Sequence, residues 1–195
     1  MAERKTDKRV WKTQQALQRA LLELIVERGY ESTSVQHLLD RAGVGRATFY
    51  LHYRSKEDLL RRSLDRLREQ LVQGWELSAG STEKHADPLG FSLAFFRHVD
   101  SHRRLYRAVV GRESGIIVDR QMRRLLADLI RAEVGSPGQP ARGGVWADMA
   151  AQYVVGALMS IVAWWMDRNV KLTPEEIDSA FRQITIPALQ ALGRL

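Results

Sequence analysis

Apolar residues recur at spacings of three and four along almost the whole chain, and no segment alternates with period two between turn signals. The pattern predicts an all-α protein. Leu17, Leu21, Leu24 and Ile25 fall on one stripe of a helix from about Lys8 to Glu27, which Gly29 ends. Thr33, with Gln36 three residues on, reads as a capping box that opens a short helix with Val35, Leu38, Leu39 and Ala42 facing inward. Gly43-Val44-Gly45 breaks that helix, and a second short one is expected from Arg46 to His52. Ser55 with Asp58 caps a long helix from Lys56 to about Leu77. A polar linker is expected from Gly80 to Asp87, with Pro88 in the first turn of the next helix and two or three helices filling the chain to Val134. Gly135 to Gly144 is rich enough in Gly and Pro to predict an irregular loop. Two closing helices follow, Val145 to Asp167 and Pro174 to Ala191, with Thr173 as N-cap and Pro174 at the first helical position.

Composition changes this picture in three ways. A chain of 195 residues with 45% hydrophobic and 27% charged residues has the balance of a soluble globular protein. The absence of cysteine excludes thiol nucleophiles, cysteine zinc sites and iron–sulfur clusters. The net charge of +7 favours a polyanionic partner. The beginning, MAERKTDKRVWKTQQ, lacks the apolar run of a secretory signal, so a cytoplasmic location is expected. Met149 to Met166 carries no charge, but Gln152, Gly156 and Ser160 interrupt it, and a helix buried within a protein is the expected reading rather than a membrane partner.

The two short helices around Gly43 have the layout of a helix-turn-helix. Around them stand Thr33-Ser-Val, Leu38, the run Arg41-Ala-Gly-Val-Gly-Arg-Ala-Thr-Phe-Tyr-Leu-His-Tyr53 and then Ser55-Lys-Glu-Asp-Leu-Leu60. These residues resemble the tetracycline-repressor (TetR) family, with the clear likeness running from about Thr13 to Leu60. The chain departs from the usual form at Gly45, where Ser is commoner, and at His37 and Leu39, where an acidic residue and Ala are commoner. The resemblance implies an all-α, TetR-like fold: a DNA-binding domain over 1–54 with a basic amino-terminal arm, then a helical ligand-binding and dimerisation domain over 55–195.

A short helix in the major groove presents its first residues to base edges. Arg46 and Thr48 are the expected readers, because an Arg spans both acceptors of guanine and a Thr offers a hydroxyl or a methyl. Phe49 and Tyr53 should pack inward, which turns Tyr50 outward toward a phosphate, with His52 at the far end. By resemblance, Thr33 and Lys56 correspond to phosphate clamps, and Ser34, Gly45 and Ala47 complete the expected DNA-contact set. Arg4, Lys5, Lys8, Arg9 and Lys12 against Glu3 and Asp7 make the arm basic. The competing reading is an ordinary helical corner with a core Phe and Tyr.

In the second half, the helix from Val145 is apolar on every side and must be buried on more than one face. The resemblance implies a homodimer, and Tyr153, Gly156, Ala157, Ser160, Ile161, Trp164, Phe181 and Ile184 are the expected interface; the alternative is that both helices close one core. Ile177, Phe181, Ile184 and Leu189 give the last helix an apolar stripe, for which a four-helix bundle across a two-fold axis is the natural solution. Phe91, Phe95, Tyr106, Met122, Met149 and Tyr153 are the candidate lining of a pocket for a small apolar or aromatic effector, or else plain core. His98 and His102 stand four apart without an evident third ligand, so no metal and no cofactor is expected. No catalytic motif appears, so no enzyme is expected. The expected function is transcriptional regulation, as a repressor that binds a palindromic operator and is released by the effector. The alternatives are a DNA-binding protein without ligand control and a small-molecule-binding protein or enzyme on a helical scaffold.

Overall fold

The computed structural model describes residues 2–78, 89–110, 115–134, 140–168 and 170–191, and among these the chain is helical with no strand. In order the helices are α1 (Ala2–Arg28), α2 (Val35–Ala42), α3 (Arg46–His52), α4 (Lys56–Ser78) and α5 (Phe91–Ser101). They continue with α6 (Arg103–Val109), α7 (Ile116–Val134), α8 (Pro140–Asp167) and α9 (Pro174–Ala191). The expected linker from Gly80 to Asp87 and its Pro88 lie outside the described residues. The chain forms two compact units, one of residues 1–66 with 108–121 and one of residues 67–107 with 122–195.

In the first unit, α1 packs on α2. Leu17, Leu21, Leu24 and Ile25 of α1 are buried, as are Leu38 and Leu39 of α2 and Leu59 and Leu60 of α4. Fully burying each such side chain stabilises by roughly 1.5–3 kcal/mol. The predicted stripe of α1 is therefore its core face, and the larger Leu39 is accommodated inside. At the surface Arg41 ties α2 to α1, donating to Glu23 at 3.1 Å and to Glu27 at 2.6 Å. The helix begins at Ala2 rather than near Lys8, so the basic arm continues α1 as helix.

In the second unit, α9 packs on α5 and α8. Phe96 stands edge-on to Trp165 of α8 at 6.2 Å and to Phe181 of α9 at 5.8 Å, which joins three helices through one aromatic cluster. Ser92 donates its hydroxyl to the buried Asp178 carboxylate, a polar tie inside the same α5–α9 contact. Thr173 and Glu176 form a reciprocal capping box, and Pro174 takes the first helical position, as the sequence predicts.

Three expectations change here. The Gly- and Pro-rich stretch does not run irregularly to Gly144, because Pro140 opens α8; a proline at a helix start gives up a donor that has no helical partner anyway. Phe181 is not a surface residue of α9 but core, in contact with Phe96. Ile184 is 68% exposed, and Thr185 takes its place in the inward stripe with Ile177, Phe181 and Leu189. Gly144–Asp167 is long and apolar enough to cross a membrane by composition alone, yet half of its most apolar stretch is buried inside the protein, with Val154, Leu158 and Val162 fully enclosed.

Candidate nucleic-acid interface

The corner between α2 and α3 is built by two glycines with different tasks. Gly43 caps α2 in the left-handed conformation, φ 63° and ψ 36°, which costs other residues energy but not glycine, and its N–H donates to the Leu39 carbonyl. Gly45 is the N-cap of α3 in extended conformation and supplies no side-chain bond, so a Ser or Asp there would add one. At the start of α2 the cap is Ser34 rather than Thr33. The Ser34 hydroxyl accepts from the His37 N–H, and His37 Nδ1 accepts from the Ser34 N–H, each at 3.2 Å. His37 thus stands where an acidic residue is commoner and still closes the box.

Thr33 occupies a different role from the one the resemblance implies. Its side chain is buried and its hydroxyl donates to the Gly29 carbonyl at 2.8 Å, so the side chain is spent on closing the α1–α2 loop. Lys56, at the first position of α4, donates its ammonium to the carbonyls of Tyr30 at 2.9 Å and Thr33 at 2.7 Å. It also lies 4.3 Å above the Tyr30 ring. Two of the three ammonium donors are thus engaged within the protein.

α3 presents two opposed faces. Phe49 is fully buried, Tyr53 nearly so, and their rings lie 5.8 Å apart. On the other side Arg46, Ala47 and Thr48 are exposed, Tyr50 is 51% exposed, and His52 is half-buried at the end. The inward pair fixes the rotation of the helix, and the predicted readers are thereby turned to solvent together. Burial holds the Tyr53 hydroxyl above its ordinary range, so it stays neutral beneath the surface. α4 is anchored beside it by Ser55, which accepts from the Asp58 N–H at 3.2 Å, while the Asp58 carboxylate accepts from the Arg54 N–H at 3.1 Å. That backbone bond, helped by Arg61 and Arg62, holds the Asp58 carboxyl below its ordinary range.

Sequence reasoning missed three exposed members of this surface. Leu51 is 79% exposed on α3, and its position opposite Phe49 and Tyr53 on a helical turn was the available signal. Gln36 and Asp40 of α2 were also missed: Gln36 accepts from Arg46 at 2.9 Å and donates to Asp40 at 2.8 Å.

The second unit distributes its candidate residues differently. Phe95 and Tyr106 meet edge-on at 6.1 Å in the core with Phe91 and Met122 also buried. Met149 and Tyr153 do not join them, because α8 turns both outward at 45% and 46% exposure. They share an outward stripe with Gly156, Ser160 and Trp164, spaced by three and four. His98 and His102 stack face to face at 4.3 Å, and burial beside the second ring pushes His98 down to about 4.

Comparison with known proteins agrees with this geometry. The family model described as bacterial regulatory proteins, tetR family, matches residues 17–62, which contain α2 and α3. A model described as a transcriptional regulator C-terminal region matches residues 87–186. An uncharacterised HTH-type transcriptional regulator, YxbF of Bacillus subtilis, is 30% identical over 82 residues, 42% of this chain and 22% of the relative. The HTH-type transcriptional activator FasR of Mycolicibacterium smegmatis is 31% identical over 91 residues, 46% of this chain and 42% of the relative. The matches thus span less than half the length of either curated relative. Among solved structures, NalD, the secondary repressor of the MexAB-OprM multidrug efflux pump in Pseudomonas aeruginosa, superposes with a TM-score of 0.60 at 19% identity, covering 91% of this chain and 96% of that one. The fatty acid degradation regulator FadR from Bacillus halodurans gives 0.62 at 16% identity, covering 89% and 94%. At such identities the solved structures establish the fold, and the family models establish membership: the chain belongs to the tetR family of bacterial regulatory proteins, DNA-binding transcription regulators with a helix-turn-helix.

Proposed function

We propose that this chain is a transcriptional repressor that binds a palindromic operator as a homodimer through α3 and leaves it when a small apolar or aromatic effector binds. The observation that carries the reading is the two-faced α3, with Phe49 and Tyr53 locked inside while Arg46, Ala47, Thr48 and Tyr50 face solvent. Arg46 is assigned to a guanine edge and Thr48 to a neighbouring base. Tyr50 is assigned to a phosphate, as is the remaining donor of Lys56, with exposed Ser34 and Gly45 beside them. Thr33 is left out of this set because its hydroxyl is buried and bonded.

The stripe of Met149, Tyr153, Gly156, Ala157, Ser160, Ile161 and Trp164 on α8, with Ile184 on α9, supports a second copy as the cover of this face. Two α3 helices would then enter successive major grooves about 34 Å apart. The effector is assigned to the buried aromatic core around Phe91, Phe95, Tyr106 and Met122. The Tyr106 hydroxyl is buried there without a hydrogen-bond partner among the described residues, and leaving such a donor unmet costs roughly 1–3 kcal/mol. An effector carrying one acceptor oxygen would meet it. Repression is assigned by analogy with NalD, a repressor of the same fold, and a cytoplasmic location by analogy with the family.

The reading is tested by a gel shift with DNA from upstream of the chain's own gene, together with sedimentation. A dimer that retards this DNA, and a monomer after Gly156→Arg, are expected. Absence of any preferred DNA would overturn the reading. A promoter fusion reads the sign: repression is expected, and activation, as for FasR, would overturn the repressor assignment alone.

A further inference from the structure

Arg46 does not stand alone on α3. Its guanidinium donates to the Gln36 side-chain oxygen at 2.9 Å, and the Gln36 amide nitrogen donates to Asp40 at 2.8 Å. Gln36 and Asp40 are four apart on α2, so they are neighbours on one face of a helix that packing on α1 holds in place. The chain of bonds has one polarity. Asp40, as a carboxylate, can only accept, so it claims the amide nitrogen of Gln36 and turns the oxygen toward Arg46; with the amide reversed, two donors and two acceptors would face each other.

This arrangement restrains Arg46 at small expense in reading capacity. A guanidinium has five N–H donors, and the bond to Gln36 uses one. The others remain for the two acceptors of a guanine, which need two donors in a fixed plane. A long side chain at an exposed helix start would otherwise sample many rotamers, and ordering it on binding costs conformational entropy. An Arg already held in one plane has less to lose when it meets a base.

We propose that Gln36, oriented by Asp40, is a positioning residue that sets the base preference of Arg46 by fixing its guanidinium plane against α2. The proposal rests on the reading of α3 as the DNA-recognition helix. It makes α2 part of the specificity of this protein without requiring α2 to touch a base. Asp40 gains a role in the same way, although a carboxylate is disfavoured near phosphates.

The test is selection of bound duplexes from a random double-stranded DNA library, with sequencing, for the wild-type chain, Gln36→Met, Arg46→Ala and the double variant. Gln36→Met keeps the length of the side chain and removes both ends of the bond network. The wild type is expected to enrich a motif with a guanine in each half-site. Gln36→Met should keep the motif's spacing and lose about tenfold of its preference for that guanine, while its thermal unfolding is unchanged. In the Arg46→Ala background, Gln36→Met should change the motif no further. An unaltered guanine preference in Gln36→Met overturns the inference, as does a second base position that flattens whether or not Arg46 is present, since Gln36 would then read a base itself. A wild type that enriches no motif at all refutes the recognition-helix reading instead, so the two failures are distinct.

Discussion

The α2–α3 corner and the outer face of α8 are both exposed surfaces with a function to explain, yet they announce themselves in different ways. At the corner a few residues each have one workable position: Gly43 at φ 63°, Ser34 at a cap, Phe49 and Tyr53 inward. Their constraints are local, so the sequence carries them within some twenty residues. On α8 the signal is an excess of apolar residues all round, and half of that excess is plain core. Which residues remain outside depends on where α5 and α9 pack, and that is not a local property. The contrast teaches that turn and cap chemistry identifies a reading head, whereas hydrophobicity alone identifies only that something must be covered.

The largest expected effect breaks the corner itself. Phe49→Ala should cost about 3–5 kcal/mol, since it empties the site that fixes the rotation of α3, and denaturant unfolding should register it together with loss of DNA retention. A stable variant that no longer binds DNA would mean that Phe49 orients α3 without holding the unit together.

The second expectation concerns α5, in the second unit. His98 has its pKa depressed from an ordinary 6.5 to about 4 by burial and by the stacked His102, with the Tyr106 ring edge-on at 5.9 Å. Between these values the unfolded chain binds more protons than the folded one, so stability is present at neutral pH and lost as pH falls from about 6.5 toward 4. The loss should reach at most about 3 kcal/mol. Thermal unfolding across this window should show it, and His98→Gln should flatten the dependence; an equal slope in the variant would place the sensitivity elsewhere.

The smallest expectation refines the corner. A side chain built at Gly45 meets nothing nearby, and the extended conformation there suits any residue. Gly45→Ser should therefore raise stability by a few tenths of a kcal/mol through the missing N-cap bond. A lowered melting temperature would show that the start of α3 is not as open as described.

Much of this was legible in advance, for reasons that can be located. The helix order, the glycine-broken corner and the Thr173 cap follow from residues acting within one turn of themselves. Thr33 was misjudged because it and Ser34 are equally good caps by composition; only the path of the loop decides that Thr33 bonds back to Gly29. Phe181 and Ile184, expected together on one stripe, fall on different sides of α9 because its buried side continues through Thr185, a polar residue that a hydrophobic pattern passes over. The Arg46–Gln36–Asp40 chain was invisible, since it joins two helices whose crossing no local rule gives.

The most direct test of the account is the ratio of affinities for the selected operator over a scrambled duplex at fixed salt, measured by fluorescence anisotropy for the wild type, Arg46→Ala and Tyr50→Phe. With Arg46 at a base and Tyr50 at a phosphate, Arg46→Ala should reduce that ratio by about tenfold per half-site. Tyr50→Phe should weaken both duplexes by a similar factor and leave the ratio standing. A ratio that survives Arg46→Ala, or collapses with Tyr50→Phe, would contradict the assignment of reading and holding to these two sides of α3.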